Sequence, residues 1–206
     1  MKNDIFQKLI YQLISKLFVL PIYKFVFKGH LIGRENTPKK DTFIMVSNHG
    51  SLLDPPLLGH AVGRNISFMA KAELFKIPVL GFVIKSCGAY PVKRGIADKN
   101  TIKTACKKLS NNNCIGIFID GTRQKNGRVN KPKQGAALLA FKNQKLLLPV
   151  AIVNSHRLIR FKFCIPLFSK IVIKVGKPVH PPQSSSKDDL NSVTICLKDK
   201  INNLIG

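Results

Sequence analysis

The chain has 206 residues, with 34 Lys plus Arg against 10 Asp plus Glu, a formal charge of +24 at pH 7, and 45% apolar residues. That apolar share excludes a largely disordered polyelectrolyte, and the length suits one domain with a sizeable core better than two. The charge favours anionic contacts, whether phosphate head groups, nucleic acid or an acidic carrier, although most of the basic residues are Lys, which a solvated surface also carries.

In chain order, the first signal is helical. Ile5, Phe6, Leu9, Ile10, Leu13, Ile14, Leu17 and Phe18 recur at helical spacing, opposite a polar row of Lys8, Gln12 and Lys16. The longest unbroken apolar run, residues 17–23, contains Pro21 and is too short to cross roughly 30 Å of hydrocarbon. An amphipathic segment of this kind suits a bilayer interface, or else packs as an ordinary helix on a core. No small-residue cleavage site follows it, so secretion is not expected. We divide the chain into a membrane-interfacial helical segment at 1–28 and an α/β domain at 29–206.

From Thr42 onward, short runs rich in Ile, Val, Leu and Phe alternate with helical patterns, the appearance of an α/β sheet. Strands are expected at 42–47, 66–69, 89–92, 114–119, 147–153, 160–165 and 171–175, and helices at 55–61, 77–85, 98–109, 135–143 and 188–204. The last three strands leave no room for helices between them. The expected fold is therefore a mixed, largely parallel sheet of about seven strands flanked by helices, with an antiparallel or mixed edge. Ser186, three residues before Asp189, suggests a capping box on the last helix. The five cysteines, Cys87, Cys106, Cys114, Cys164 and Cys196, are odd in number and never spaced C-x-x-C, which suits reduced thiols rather than a disulfide framework or a zinc ribbon.

Chemistry begins where the first core strand ends, at Ser47-Asn48-His49-Gly50-Ser51-Leu52-Leu53-Asp54. Asp54 precedes Pro55 and so suits the N-cap of the next helix. An Asp fixed there can also accept the Nδ1 proton of His49 across a short turn, leaving Nε2 to take a proton from a hydroxyl.

Asn48, His49, Ser51 and Asp54 resemble the His, four residues, Asp signature of the glycerolipid acyltransferases. Gly88-Ala-Tyr-Pro-Val-Lys-Arg94 is similar to that superfamily's second block, and Phe118-Ile-Asp-Gly-Thr-Arg123 to its third, usually Phe-Pro-Glu-Gly-Thr-Arg. Lys133-Gln-Gly135 and Leu148-Pro149-Val150 resemble the remaining blocks, all in the expected order. Ile119 and Asp120 depart from the usual Pro and Glu.

The resemblance implies transfer of a fatty acyl group from a thioester, acyl-CoA or acyl-acyl-carrier protein, to the sn-2 hydroxyl of lysophosphatidate, giving phosphatidate. His49 would be the general base, oriented by Asp54, with no acyl-enzyme, no metal and no resident cofactor. Oxyanion donors are expected among backbone N–H groups near the Gly121 turn. The resemblance carries acceptor binding onto Arg94, Asp120, Gly121, Thr122, Arg123 and Lys133, with Arg94 and Arg123 as the cations for phosphate.

Between Gly121 and Lys187 there is no Asp or Glu, so this half presents a positive field to an anionic membrane surface, coenzyme A phosphates or an acyl carrier protein. The expected location is peripheral or monotopic, on the cytoplasmic face of a bacterial membrane or the equivalent inner face of an organelle. Two other readings stand beside this one: an acyltransferase for another glycerolipid or lysophospholipid acceptor, and a non-catalytic basic module binding membranes or nucleic acid. The absence of Trp, the scarcity of Tyr and the lack of aromatics among the Lys-rich stretches argue against nucleic acid.

Overall fold

The computed structural model describes residues 9–92, 99–159 and 170–206. Among them one mixed sheet of seven strands runs in the order β1-β7-β6-β2-β5-β3-β4. The strands are β1 (His30–Ile32), β2 (Ile44–Ser47), β3 (Ile66–Lys71), β4 (Tyr90–Val92), β5 (Cys114–Phe118), β6 (Leu147–Val153) and β7 (Val172–Val175). The pairs β2/β5, β2/β6, β3/β5, β3/β4 and β1/β7 are parallel, and β6/β7 is antiparallel. The mixed edge thus involves the last two strands, the part of the sheet where it was expected. Six of the expected strands are present within a residue or two. The expected strand at 160–165 lies outside the described residues, and the seventh observed strand, β1, was not expected at all. It has only three residues, half-buried at most, and no alternation long enough to read.

The helices are α1 (Leu9–Val26), α2 (Asp54–Val62), α3 (Pro78–Ser86), α4 (Lys99–Ser110), α5 (Gly135–Asn143) and α6 (Lys187–Ile205). Strand alternation divides the core into two layers. Met45 of β2 with Leu148, Val150 and Ile152 of β6 joins Leu57, Leu58, Ala61 and Val62 of α2 on one face. Ile44 and Val46 with Leu147 and Ala151 join Ala105 and Leu109 of α4, Leu139 and Ala140 of α5, and Leu197 and Ile201 of α6 on the other. A central strand buried on both faces has to be apolar throughout, which is why 44–46 reads as a continuous hydrophobic run. Pro149 is tolerated inside β6 because its ring faces the segment after β7, where Gly176 N–H donates to the Pro149 carbonyl and asks for no N–H in return.

Ser186 caps α6 by accepting the Asp189 N–H at 3.1 Å. Asp189 does not reach back to complete the box; its carboxylate accepts from the Ser184 hydroxyl at 2.5 Å. α1 continues through Pro21 as one helix, with π-type turns at Ser15–Val19 and Ile22–Val26 on either side. Pro21 has no N–H to donate, and the wider turns accommodate its ring. The face of α1 that docks is not the Leu/Ile stripe. Ser15 Oγ lies 2.7 Å from His60 Nδ1 on α2, Tyr11 packs over Gly59, and Tyr23 donates to the His30 carbonyl at 2.5 Å. Tyr23 and Phe27 are core residues of the domain, whereas Leu9, Leu13, Leu17, Phe18, Ile22 and Phe25 point outward.

Candidate active site

β2, β3 and β5 are parallel, so their carboxyl ends share one rim of the sheet, the position from which loops usually present a site in α/β folds. The His49 turn leaves β2 there. Its geometry starts with Asn48, the residue that follows β2. The Asn48 side-chain oxygen accepts the Ile152 N–H at 2.8 Å, and its amide donates to the Ile152 carbonyl at 2.8 Å and the Gly127 carbonyl at 2.7 Å. A side chain therefore continues the β2/β6 pairing where the backbone departs, freeing the main chain to turn at His49. Gly50 makes the turn possible, because a Cβ there would sit 2.6 Å from the His156 backbone nitrogen.

His49 and Asp54 are both buried, at 5% and 0% exposure. Asp54 Oδ2 lies 2.8 Å from His49 Nδ1 and also accepts the Gly50 and Ser51 N–H groups at 2.7 and 2.8 Å. The expectation that Asp54 caps the following helix is corrected. Leu53 occupies the N-cap position with a helical backbone, and Asp54, as the first residue of α2, turns its carboxylate back onto the preceding turn. One oxygen thus closes the loop from His49 to Asp54 and holds the imidazole by a single nitrogen. With Nδ1–H donating to Asp54, Nε2 is left as an acceptor. Phe118, at the end of β5, stacks on the imidazole with ring centroids 3.8 Å apart and planes 13° from parallel, and Phe68 stacks behind it at 5.4 Å. The ring plane is therefore set by packing and its rotation by hydrogen bonding. Such a histidine can serve as a general base.

The second wall is the 118–133 loop. Gln124 N–H donates to the His49 carbonyl at 2.8 Å, which ties this loop to the His49 turn. Asp120 is buried, and both its oxygens are engaged: Oδ2 accepts from Asn130 N–H at 3.2 Å and Oδ1 from Lys131 N–H at 2.9 Å. These contacts account for an acid at this position, as a brace for the loop. Gly121 sits at φ +71°, where a side chain is disfavoured, and the Lys133 ammonium lies 3.4 Å from where its Cβ would be. Thr122 accepts from the Gln124 amide at 3.4 Å, and Arg123, Thr122 and Lys133 are solvent-exposed. Two of the N–H groups in this turn are already committed, Gly121 to the Phe118 carbonyl and Gln124 to the His49 carbonyl, which narrows the choice of oxyanion donors. Arg94 lies outside the described residues. Among the described residues no group of three or more His, Cys, Asp or Glu is placed to hold a metal.

Sequence reasoning gave no role to Asn48 or Phe118, although both stand inside the motifs it used. Their contacts run to Ile152 and to His49, 104 and 69 positions away, and no local pattern announces such partners.

Comparison with known proteins identifies the family. Residues 29–153 match the family model described as Acyltransferase. The chloroplastic 1-acyl-sn-glycerol-3-phosphate acyltransferase of Arabidopsis thaliana is 29% identical over 194 residues, covering 91% of this chain and 52% of that protein. The 1-acyl-sn-glycerol-3-phosphate acyltransferase of Bacillus subtilis is 30% identical over 179 residues, 84% of this chain and 85% of its own. The crystal structure of the 1-acyl-sn-glycerophosphate acyltransferase PlsC from Thermotoga maritima superposes with a TM-score of 0.80 at 30% identity, over 96% of this chain and 80% of that one. The chain spans about half the length of the chloroplast relatives it matches. A seven-stranded scaffold of the same shape, the matched segment and the buried His49–Asp54 pair lead to one conclusion: the chain belongs to the acyltransferase family that includes the 1-acyl-sn-glycerol-3-phosphate acyltransferases.

Proposed function

We propose that this protein transfers a fatty acyl group from an acyl thioester to the sn-2 hydroxyl of lysophosphatidate, forming phosphatidate. The observation that carries the reading is the three-donor grip of Asp54 Oδ2, which leaves His49 Nε2 as the acceptor for a hydroxyl proton. As that proton moves to Nε2, the hydroxyl oxygen forms a C–O bond to the thioester carbonyl. The tetrahedral intermediate then collapses, the C–S bond breaks, and the imidazolium returns its proton to the departing thiolate. Asp54 stabilises the imidazolium throughout without being protonated.

Arg123, two residues after Gly121, is the residue we assign to the acceptor phosphate, because a guanidinium can grip it through two N–H groups at once. Gly121, Thr122 and Lys133 complete that site, Arg94 is the second guanidinium, and Asp120 shapes it by bracing the loop at Asn130 and Lys131. Acyl-CoA and acyl-acyl-carrier protein are the candidate donors, both anionic and both suited to the acid-free stretch between Gly121 and Lys187.

We place the enzyme at a membrane surface, on the cytoplasmic or equivalent inner face. α1 is an 18-residue helix of mean hydropathy 1.5, which by length and composition alone is enough to cross a bilayer. Its Ser15 and Tyr11 contacts hold one side of it along α2, and this supports an interfacial position with the outward Leu and Phe side chains in lipid.

The test is phosphatidate formation from lysophosphatidate in detergent, with acyl-CoA and acyl-acyl-carrier protein offered separately and His49→Ala assayed beside the unaltered protein. Product that depends on His49 supports the reading and identifies the donor. Equal transfer by His49→Ala, or no product from folded protein with either donor, sinks it. Product with another lyso-acceptor alone would move the assignment to that acceptor.

A further inference from the structure

α3 is a helix in the wrong solvent. Its sequence, Pro-Val-Leu-Gly-Phe-Val-Ile-Lys-Ser, is apolar on every side, yet only Gly81 and Ser86 are buried. Val79 is 78% exposed, Phe82 66% and Ile77 48%. A helix hydrophobic all round belongs in a core or in lipid, and this one packs its Gly81 on the Phe75 carbonyl of the turn before it. The neighbouring turn repeats the anomaly. Leu52, between His49 and Asp54, is 66% exposed, and Leu53 beside it points outward as well.

These side chains form a continuation rather than scattered exceptions. β3 ends at the rim that carries His49 and leads through the turn Ala72–Lys76 into α3, so the start of α3 shares that rim with Leu52 and Leu53. The far end of α3 stops at Cys87. α1, α3 and the Leu52–Leu53 turn each expose large apolar side chains, and apolar surface exposed on this scale marks an interaction site. Exposed Lys76 and Lys85 flank it, while Lys71 pairs with Glu73 at 3.5 Å, and such ammonium groups beside apolar surface suit anionic phosphates.

We propose that α3 and the Leu52–Leu53 turn insert into the bilayer surface as a second lipid contact beside α1, which sets the rim of the catalytic turn at head-group depth. An acceptor anchored in the bilayer by its acyl chain would then present its hydroxyl to His49 without leaving the membrane. The inference rests on the membrane reading above, but its readout needs no turnover.

The chain contains no Trp, so Phe82→Trp installs a single reporter. The probe is a vesicle of phosphatidylcholine and phosphatidylglycerol, a share of it brominated along the acyl chains. Emission from Phe82→Trp should shift to the blue and be quenched on these vesicles. Emission from Thr104→Trp, exposed on α4 across the sheet, should do neither. A Val79→Asp, Phe82→Asp double variant should partition onto vesicles at least about tenfold more weakly, with an unchanged melting temperature and unchanged transfer to a soluble short-chain acceptor. An unquenched Phe82→Trp on vesicles overturns the proposal, even if the enzyme proves active. So does emission already blue-shifted without lipid and accompanied by sedimentation as a dimer, because a second copy would then cover α3. Loss of the acyl-transfer reading with quenching intact would leave the lipid contact standing.

Discussion

Replacing Asp54 by Asn separates charge from shape at the centre of the site. The variant can keep an oxygen facing His49 Nδ1, Gly50 N–H and Ser51 N–H, which now lie 2.8, 2.7 and 2.8 Å from Oδ2. Hydrogen bonds to a charged acceptor contribute about 1.5–3 kcal/mol each and those to a neutral one about 0.5–1.5, so three weakened bonds cost roughly 3 kcal/mol. The Asp54 Oδ1 position is buried and has no hydrogen-bond partner among the described residues, so the new amide group would sit there unsatisfied, at a further cost of about 1–3 kcal/mol. For a chain of this length each kcal/mol shifts the melting temperature by about 2–4 °C, which predicts a fall on the order of 10 °C. Catalysis should suffer separately, because a neutral amide no longer stabilises the imidazolium: kcat should drop about 10²–10⁴-fold with little change in KM. Calorimetry and initial rates of phosphatidate formation on the same preparation measure both. An Asp54→Asn protein that melts within about 2 °C of the unaltered one and turns over within about threefold of it would refute the three-donor account.

Other expectations follow from the same contacts. Asn48→Ala removes three buried hydrogen bonds and leaves backbone groups at Ile152 and Gly127 unpaired, so urea unfolding should show a loss of about 3–5 kcal/mol. Arg123→Ala, at an exposed position, should leave the melting temperature unchanged while raising KM for lysophosphatidate about tenfold; unchanged KM would remove Arg123 from the phosphate site. The pKa of His60 is held below its ordinary 6.5, first by burial and then by the nearby charges of Arg34 and Lys24. Below pH 6.5 the unfolded chain therefore takes up a proton that the folded one resists, and stability should fall as pH drops through that value. His60→Gln should flatten this part of the stability profile between about pH 7.5 and about pH 5.5; an unaltered slope would assign it to other groups.

Strand by strand, what was legible in the sequence was what depends on near neighbours. The run 44–46 has to be apolar because β2 is buried on both faces, and the spacing of Leu190, Leu197 and Ile201 follows from the one buried stripe of α6. Ser186 caps α6 through a bond that spans three residues, and His49 and Asp54 are joined across five. Periodicity, capping and short turns are local physics, so composition and spacing were sufficient for the fold class, whereas His49 and Asp54 stood out as a site only through the ordered blocks that resemble one family.

Everything that makes that pair a site came from residues far apart in the chain. Only the tertiary structure decided that Phe118 stacks on His49, that Asn48 ties β2 to β6, and that Asp120 braces Asn130 and Lys131. It also decided that Leu53, not Asp54, takes the N-cap position of α2, and that the Asp54 oxygen facing His49 accepts the Gly50 and Ser51 N–H groups as well. The same holds for α1. Its apolar stripe marked an amphipathic helix, but which side meets the domain depended on Gly59 and His60 of another helix. A local pattern limits the conformations a segment can adopt, whereas its partner is chosen by the packing of the whole chain.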